Sequence, residues 1–447
     1  MNPNGSGFDK KMNRVQSLCP QCLKVIPAVV RETDVGVVME KVCPLHGPFE
    51  AMVSPDWNTY DRLSRSPRKV AKPLNYSTAA DRGCPDDCGL CPVHDQHTCL
   101  AILEITSRCD LMCPICLASA HPAGHDLPPE GVEYALQTLL RQEGRAIPLQ
   151  LSGGEPTLHG ELEKIIRSAA SLGFQKIEID THGLRISRDS FLAEKLREAG
   201  LSGVYLQMDG LTPAISEFIR GKDLTEEKLK AVENCKKAGL QVVLSVTVVP
   251  GINDQYLWKM VQFGMEQELT GVNFQPLVRS GRFPKTIGVP PGPFTLGHFL
   301  REIERQSDER LRTGDLSPIP CPDPRCAVIA YALVHRGELV PLNRIYGEKQ
   351  LMEPLADLSD WGTMIRHIQG KNPIPCGCSG SCGPEKIDGD LFRQSEFFSV
   401  GCHGMMDVEN FDLDRARRCC VHELTAEGKL IPFCLYNIKY RQGRGFC

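Results

Sequence analysis

Cysteine is gathered into groups along this chain, and that grouping constrains the fold more than any other feature of the sequence. Of 21 cysteines in 447 residues, only Cys235 lies between Cys116 and Cys321. Residues 1–12 are polar and lack the apolar stretch of a secretory leader. No apolar run approaches the ~18 residues of a membrane span. A cytoplasmic location is therefore expected, with peripheral membrane contact left open. In a reducing compartment a disulfide framework is disfavoured, and grouped cysteines point to metal or cluster ligation. The odd count also argues against complete pairing. A net charge of −4 carries no polyanion-binding signature, so nucleic acid is not an expected partner.

Four zones follow from the cysteine spacing and the apolar pattern. Residues 1–75 hold Cys19, Cys22, Cys43 and His46 in a short, turn-rich unit of rubredoxin or zinc-ribbon type. Residues 76–99 hold Cys84, Cys88, Cys91 and Cys99, read as an auxiliary cluster segment with structural zinc as the alternative. Residues 100–308 alternate strand-like runs (102–106, 149–152, 177–180, 204–207, 242–248, 272–275) with amphipathic helix patterns (161–171, 189–199, 225–238, 255–267). Several of these helices end near a glycine, at Gly173, Gly200 and Gly239. Six such units predict an α/β fold, a partial (β/α)6 barrel of TIM type with its chemistry on loops at the C-terminal strand ends. Residues 309–447 are again rich in Cys, Pro and Gly. The stretch 279–294 between them reads as a loop near the substrate or a linker.

The central motif follows the first barrel strand: SRCDLMCPICLA, with Cys109, Cys113 and Cys116 spaced C-x3-C-x2-C. Three thiolates on one loop hold three corners of a [4Fe–4S] cubane and leave the fourth iron open to a small-molecule chelate. A zinc site or a four-cysteine ferredoxin cluster is the competing reading. Against it stand motifs ordered on consecutive strand ends. LSGGEPTL carries Gly153, Gly154, Glu155 and Pro156, with glycines that permit close backbone approach and a carboxylate that can accept from an ammonium group. DTHGL carries Thr181 and His182, LQMDG carries Gln207 and Asp209, and the fifth strand carries Ser245 and Thr247.

With these motifs the chain resembles the radical S-adenosylmethionine (SAM) superfamily over roughly residues 100–280. Two positions depart from the family pattern, Ile115 where an aromatic residue is usual and His182 where Asn is usual. The resemblance implies that Cys109, Cys113 and Cys116 hold the catalytic [4Fe–4S] cluster. It also implies that the Gly153–Gly154–Glu155–Pro156 loop binds the SAM amino group, with Thr181, Gln207, Asp209 and Ser245 completing the cofactor site. The implied reaction is reductive cleavage of SAM to a 5′-deoxyadenosyl radical, which abstracts hydrogen from an unactivated C–H bond. An external one-electron reductant of flavodoxin or ferredoxin type is the implied partner.

Four further segments, CPxC…CPLHG, CPxxCGLCPxHxxHT, GVNFQPLVRSGR and RRCCVHELTAEGKLIPFCLYNIKYR, resemble tetraether lipid synthase and related radical SAM methylase-like proteins. That resemblance implies one or two auxiliary [4Fe–4S] clusters, one mononuclear Fe or Zn, and carbon–carbon bond formation on a lipid tail. C-methyl transfer to a pterin-like or other small substrate is the alternative, and an iron–sulfur electron carrier the non-enzyme one. In the last zone Cys321, Cys326, Cys420 and Cys434 are the favoured ligands of one auxiliary cluster. CGCSGSC (Cys376, Cys378, Cys382) reads as another metal loop or free thiols, and Cys447 as a free thiol. Cys235 reads as core packing.

Overall fold

The computed structural model describes residues 11–283, 293–348, 351 and 394–441; Cys376, Cys378, Cys382 and Cys447 lie outside them. An antiparallel meander comes first: β1 (Met12–Leu18), β2 (Val25–Thr33), β3 (Gly36–Cys43) and β4 (Gly47–Ser54). Strand alternation buries Ala28, Val30, Val37 and Met39 against Trp57 and Tyr60 of the following helix. Lys41 ties this unit to the rest of the chain, its buried ammonium donating to the Val408 carbonyl at 2.8 Å.

Six parallel strands then run in sequential order: β5 (Leu100–Thr106), β6 (Leu149–Gly153), β7 (Ile177–Thr181), β8 (Gly203–Gln207), β9 (Gln241–Val248) and β10 (Gly271–Pro276). Helices cover their outer face, among them Pro129–Glu143, Leu162–Ser171, Ser190–Ala199, Thr225–Lys237 and Leu257–Glu266. Leu103, Leu151, Ile179, Leu206, Leu244 and Phe274 pack outward against Leu136, Ile165, Leu196, Val232 and Val261 in one core. Cys235 is fully buried in it, as its helical face predicts.

The C-terminal region is not set apart from this barrel; it continues the same sheet at both edges. Its strands are β11 (Ser317–Pro318), β12 (Ala327–His335), β13 (Glu338–Pro341), β14 (Glu396–His403), β15 (Val421–Leu424) and β16 (Leu430–Pro432). β14 adds parallel to β10 and β15 parallel to β5, giving the order β11-β12-β14-β10-β9-β8-β7-β6-β5-β15-β16, with β13 beside β12. The two ends of this sheet meet through side chains. Arg325 pairs with Asp412 at 2.9 Å and Arg418 with Asp323 at 3.1 Å. Among the described residues no helix is long and apolar enough to cross a membrane.

Candidate active site and metal centres

The loop leaving β5 carries Cys109 and Cys113, both buried, and Cys116, half-buried. Its path is fixed from two sides. From β6, the Gly154 and Glu155 N–H groups donate to the Thr106 and Arg108 carbonyls, each at 2.8 Å. A Cβ on Gly153 would stand 2.0 Å from the Thr106 oxygen and one on Gly154 2.1 Å from the Arg108 oxygen. The close approach these glycines permit is thus to the cysteine loop itself. From the other side, Cys116 and Arg282 exchange backbone hydrogen bonds at 2.9 and 3.0 Å, and the Arg282 guanidinium donates to the Cys113 carbonyl at 2.9 Å. Arg279–Phe283 therefore folds back onto the cysteine loop. Gly281 has φ +69°, and a Cβ there would lie 2.4 Å from the Cys116 oxygen. Gly281→Ala is expected to cost about 1–3 kcal/mol and to lower the iron retained by the purified protein. Gly314→Ala, where a Cβ meets nothing within 4 Å, is the control that leaves iron content unchanged.

Glu155 is fully buried, and its carboxylate accepts from Thr181 Oγ1 at 2.6 Å, His182 N at 2.9 Å and Thr157 N at 3.1 Å. These contacts lock the GGEP turn to the end of β7, with Pro156 opening a 3-10 turn. His182 extends the link to the cysteine loop. Leu184 N donates to its Nδ1 at 3.2 Å, so Nε2 carries the proton and reaches Asp110 Oδ1 at 2.7 Å. That hydrogen bond holds the Asp110 carboxyl below its ordinary range. The His182 departure thus has a role here: it joins β7 to the cysteine loop. Ile115 packs in an apolar cluster with Ile215, Ile219 and Val249.

Asp209, at the end of β8, holds Arg220 in a fork, with Nε–Oδ2 at 2.7 Å and Nη2–Oδ1 at 2.9 Å, and accepts from Thr247 N at 3.0 Å. Gln207 donates to Asp209 and accepts from buried Lys228 at 3.1 Å. The Arg220 guanidinium lies against Cys113, and its charge lowers a thiol that burial raises. Burial pushes the Cys109 thiol up to about 12, so deprotonation there needs the charge of bound iron. Three converging cysteines with a buried cation behind them fit an anionic iron–sulfur cluster. Neither Arg220 nor Arg282 was legible as a site residue; the glycine of S-G-R at Gly281 was the one local signal.

The other cysteines assemble differently from their spacing in sequence. Cys19, Cys22, Cys43 and His46 have all four ligand atoms within 4.8 Å of one another. Cys22 and Cys43 are 4.0 Å apart, and His46 Nδ1 lies 3.4 Å from Cys19 and 3.5 Å from Cys43. Metal bonds of ~2.3 Å to sulfur and ~2.0 Å to nitrogen give tetrahedral edges of about this length. Cys84, Cys88 and Cys91 lie together, and the neighbouring Cys88, then Arg417, bring the Cys84 thiol down to about 7. Cys99 does not join them: it meets Cys321 and Cys420. The set Cys321, Cys326, Cys420 and Cys434 is accordingly divided, with Cys326 and Cys434 beside Cys419 instead. Sequence spacing misses this because β15 pairs with β5 across some 320 residues, bringing Cys420 beside Cys99.

A parallel barrel with this cysteine loop and GGEP turn defines an iron–sulfur enzyme of SAM cleavage, and sequence comparison agrees. Residues 103–264 match the radical SAM superfamily and residues 12–55 the HMPTM N-terminal zinc ribbon domain. The chain belongs to the radical SAM superfamily, within the family that includes the 7,8-dihydro-6-hydroxymethylpterin dimethyltransferase of Methanocaldococcus jannaschii. The two are 31% identical over 475 aligned positions, spanning 95% of this chain and 93% of the relative. The probable GTP 3′,8-cyclase of Methanothermobacter marburgensis is 29% identical over 184 residues, 39% of this chain and 57% of the cyclase. Streptococcus suis SuiB bound to S-adenosylmethionine superposes with TM-score 0.39 and 15% identity over 47% of each chain. The chain is thus a radical SAM enzyme, with a [4Fe–4S] cluster and SAM as cofactors and a need for an electron donor.

Proposed function

We propose that this enzyme is a radical SAM C-methyltransferase acting on a pterin-like substrate held in the barrel lumen. The observation that carries this reading is the polarity of the lumen. Side chains alternate along each strand, and the set opposite the outward core includes Glu104, Gln150, Asp180, Tyr205, Ser245, Asn273 and Gln275. In β5–β10 it is polar apart from Leu100, Ile102, Val243 and two glycines. Gln275 and Asn273 both donate to the Tyr205 hydroxyl, the former at 3.0 Å, and Asn273 lies 3.4 Å from His403 of β14. An alkyl chain threaded here would strip water from these groups without replacing their hydrogen bonds, at ~1–3 kcal/mol each. A flat heterocycle rich in donors and acceptors would satisfy them. The sequence expectation of carbon–carbon coupling on a lipid tail gains no support from the lumen, and neither relative above is a lipid enzyme by name.

In this reading Cys109, Cys113 and Cys116 hold the cluster, which when bound supplies the electron that cleaves SAM. Gly153, Gly154, Glu155, Pro156 and Thr181 shape the cofactor edge, and Gln207, Asp209 and Ser245 line its lumen side. Asp180 faces the substrate. Burial first, then the charge of Glu155, push its carboxyl up to about 7, so near neutral pH it both donates and accepts protons. The helical turns Phe433–Leu435 and Tyr436–Tyr440 that follow β16 bound the same space: Tyr436 donates to Glu104 Oε2 at 3.0 Å, and Arg441 pairs with Glu104.

The test is anaerobic turnover with SAM, dithionite and 6-hydroxymethyl-7,8-dihydropterin, with mass spectrometry of the pterin. A methylated pterin formed together with 5′-deoxyadenosine is expected. Unmodified pterin alongside coupled products from a membrane-lipid extract would reverse the assignment. Asp180→Asn is expected to remove an ionisation near pH 7 from the kcat/KM profile while leaving cluster content intact; a profile unchanged in shape would exclude Asp180 from proton handling.

A further inference from the structure

Two of the cysteine groups face one groove. It has a volume of about 680 Å³ and opens between the turn after β1 and the loop that precedes β5, with Cys22 in one wall and Cys84 in the other. In each group the half-buried cysteine is the one that lines it. Cys19 and Cys43 are buried beside Cys22, and Cys88 and Cys91 beside Cys84. Leu18 and Leu23 of the first unit pack with Cys84 and Cys88 of the second, so the two walls share one apolar base.

The rim of this groove is basic, in a chain whose net charge is −4. Lys24, Arg82, Arg417 and Lys439 line it against a single carboxylate, Asp86, which Lys439 engages. Asp87 holds Arg82 at 3.0 Å, and the cations still outnumber the carboxylates two to one. The groove also connects inward. Tyr440 donates to the carbonyl of Pro85 in its wall at 2.7 Å. From the same turn the Asn437 carbonyl accepts from Ser280 at 3.1 Å, and Tyr436 reaches Glu104. One helical turn thus runs from the groove to the Arg279–Phe283 segment that folds onto the β5 cysteine loop.

We propose that this groove docks the acidic one-electron carrier protein, of flavodoxin or ferredoxin type, that reduces the enzyme. The inference rests on the enzyme's need for an electron donor and not on the pterin reading. The step moves one electron from the carrier to an iron–sulfur cluster, oxidising the first and reducing the second, with no bond made or broken. A basic rim steers an acidic partner and raises its encounter rate at low salt. Iron held by Cys84, Cys88 and Cys91 would lie just behind the wall that such a partner touches. None of the residues lining the groove belongs to the SAM site or to the lumen set, so carrier and cofactor bind without competing.

Stopped-flow reduction of the cluster-loaded, full-length enzyme tests this, with reduced flavodoxin and reduced ferredoxin as separate donors and iron–sulfur absorbance as readout. The second-order rate is expected to fall as ionic strength rises. At low salt it is expected to fall about tenfold or more in Lys24→Glu/Lys439→Glu. Iron content and dithionite-driven 5′-deoxyadenosine formation are expected to stay at the wild-type level in that variant. Lys195→Glu, exposed on the outer helix Ser190–Ala199, is expected to leave carrier-driven reduction unchanged. If the double variant does not fold, Lys24→Gln, at an exposed side chain, gives a smaller fall in the same direction. A variant that keeps the wild-type rate and salt dependence would overturn the proposal. So would an equal loss with dithionite, an equal loss in Lys195→Glu, or a wild-type enzyme that neither carrier reduces.

Discussion

Cys113→Ala is expected to bring 5′-deoxyadenosine formation from SAM and dithionite down to background, with about four irons per chain lost and the rest retained. Cys113 is buried in the β5 loop with the Arg220 cation against it, so no neighbouring group stands in for the missing thiolate. The Cys84–Cys91 group repeats the C-x3-C-x2-C spacing, and spacing alone does not choose between the two. Position does. The first group precedes β5 and the second follows it, so a strand of seven residues, ~23 Å at ~3.3 Å per residue, separates them. Only the second opens at the strand ends where GGEP, Thr181 and Asp209 converge. Iron counting and product analysis on Cys113→Ala and Cys88→Ala settle the choice. Cleavage that survives the first substitution and vanishes in the second would move SAM to Cys84, Cys88 and Cys91.

The same comparison shows what this sequence makes legible. The six barrel strands stand within two residues of their apolar runs, and Gly200 caps its helix in the left-handed conformation, because period and capping are local properties. The cysteine loop and the GGEP turn were legible for the same reason. Pairings between distant segments were not. Nothing local in FFSVGCH or VHEL says that these strands flank β10 and β5, and therefore nothing said that Cys420 meets Cys99. Glu155 shows a subtler gap. Its residue type suits an ammonium ligand, yet its oxygens are engaged by Thr157, Thr181 and His182, and only the fold reveals that. The polarity of the lumen was present in the alternation of β7–β10, but it became an argument about substrate only once the outward face was assigned.

Arg220→Met is expected to be the most destabilising single change near the SAM site, at about 3–5 kcal/mol. Asp209 is almost fully buried and Arg220 only 11% exposed, so removing the guanidinium leaves a buried carboxylate without its direct ion pair, with Lys228 acting on it only through space and through Gln207. The remaining Thr247 N–H and Gln207 amide stabilise that charge only in part. Chemical denaturation of the metal-free protein measures the loss. Pairing the change with Asp209→Leu is expected to restore most of the stability, since replacing both ions with apolar groups removes the unpaired charge. Iron retention and SAM cleavage are not expected to return, because the cation that offsets the anionic thiolates at Cys113 stays absent. Stability recovered together with cleavage would reduce the pair to a packing element. Stability recovered alone assigns Arg220 to holding the cluster loop in its charged, metal-bound form.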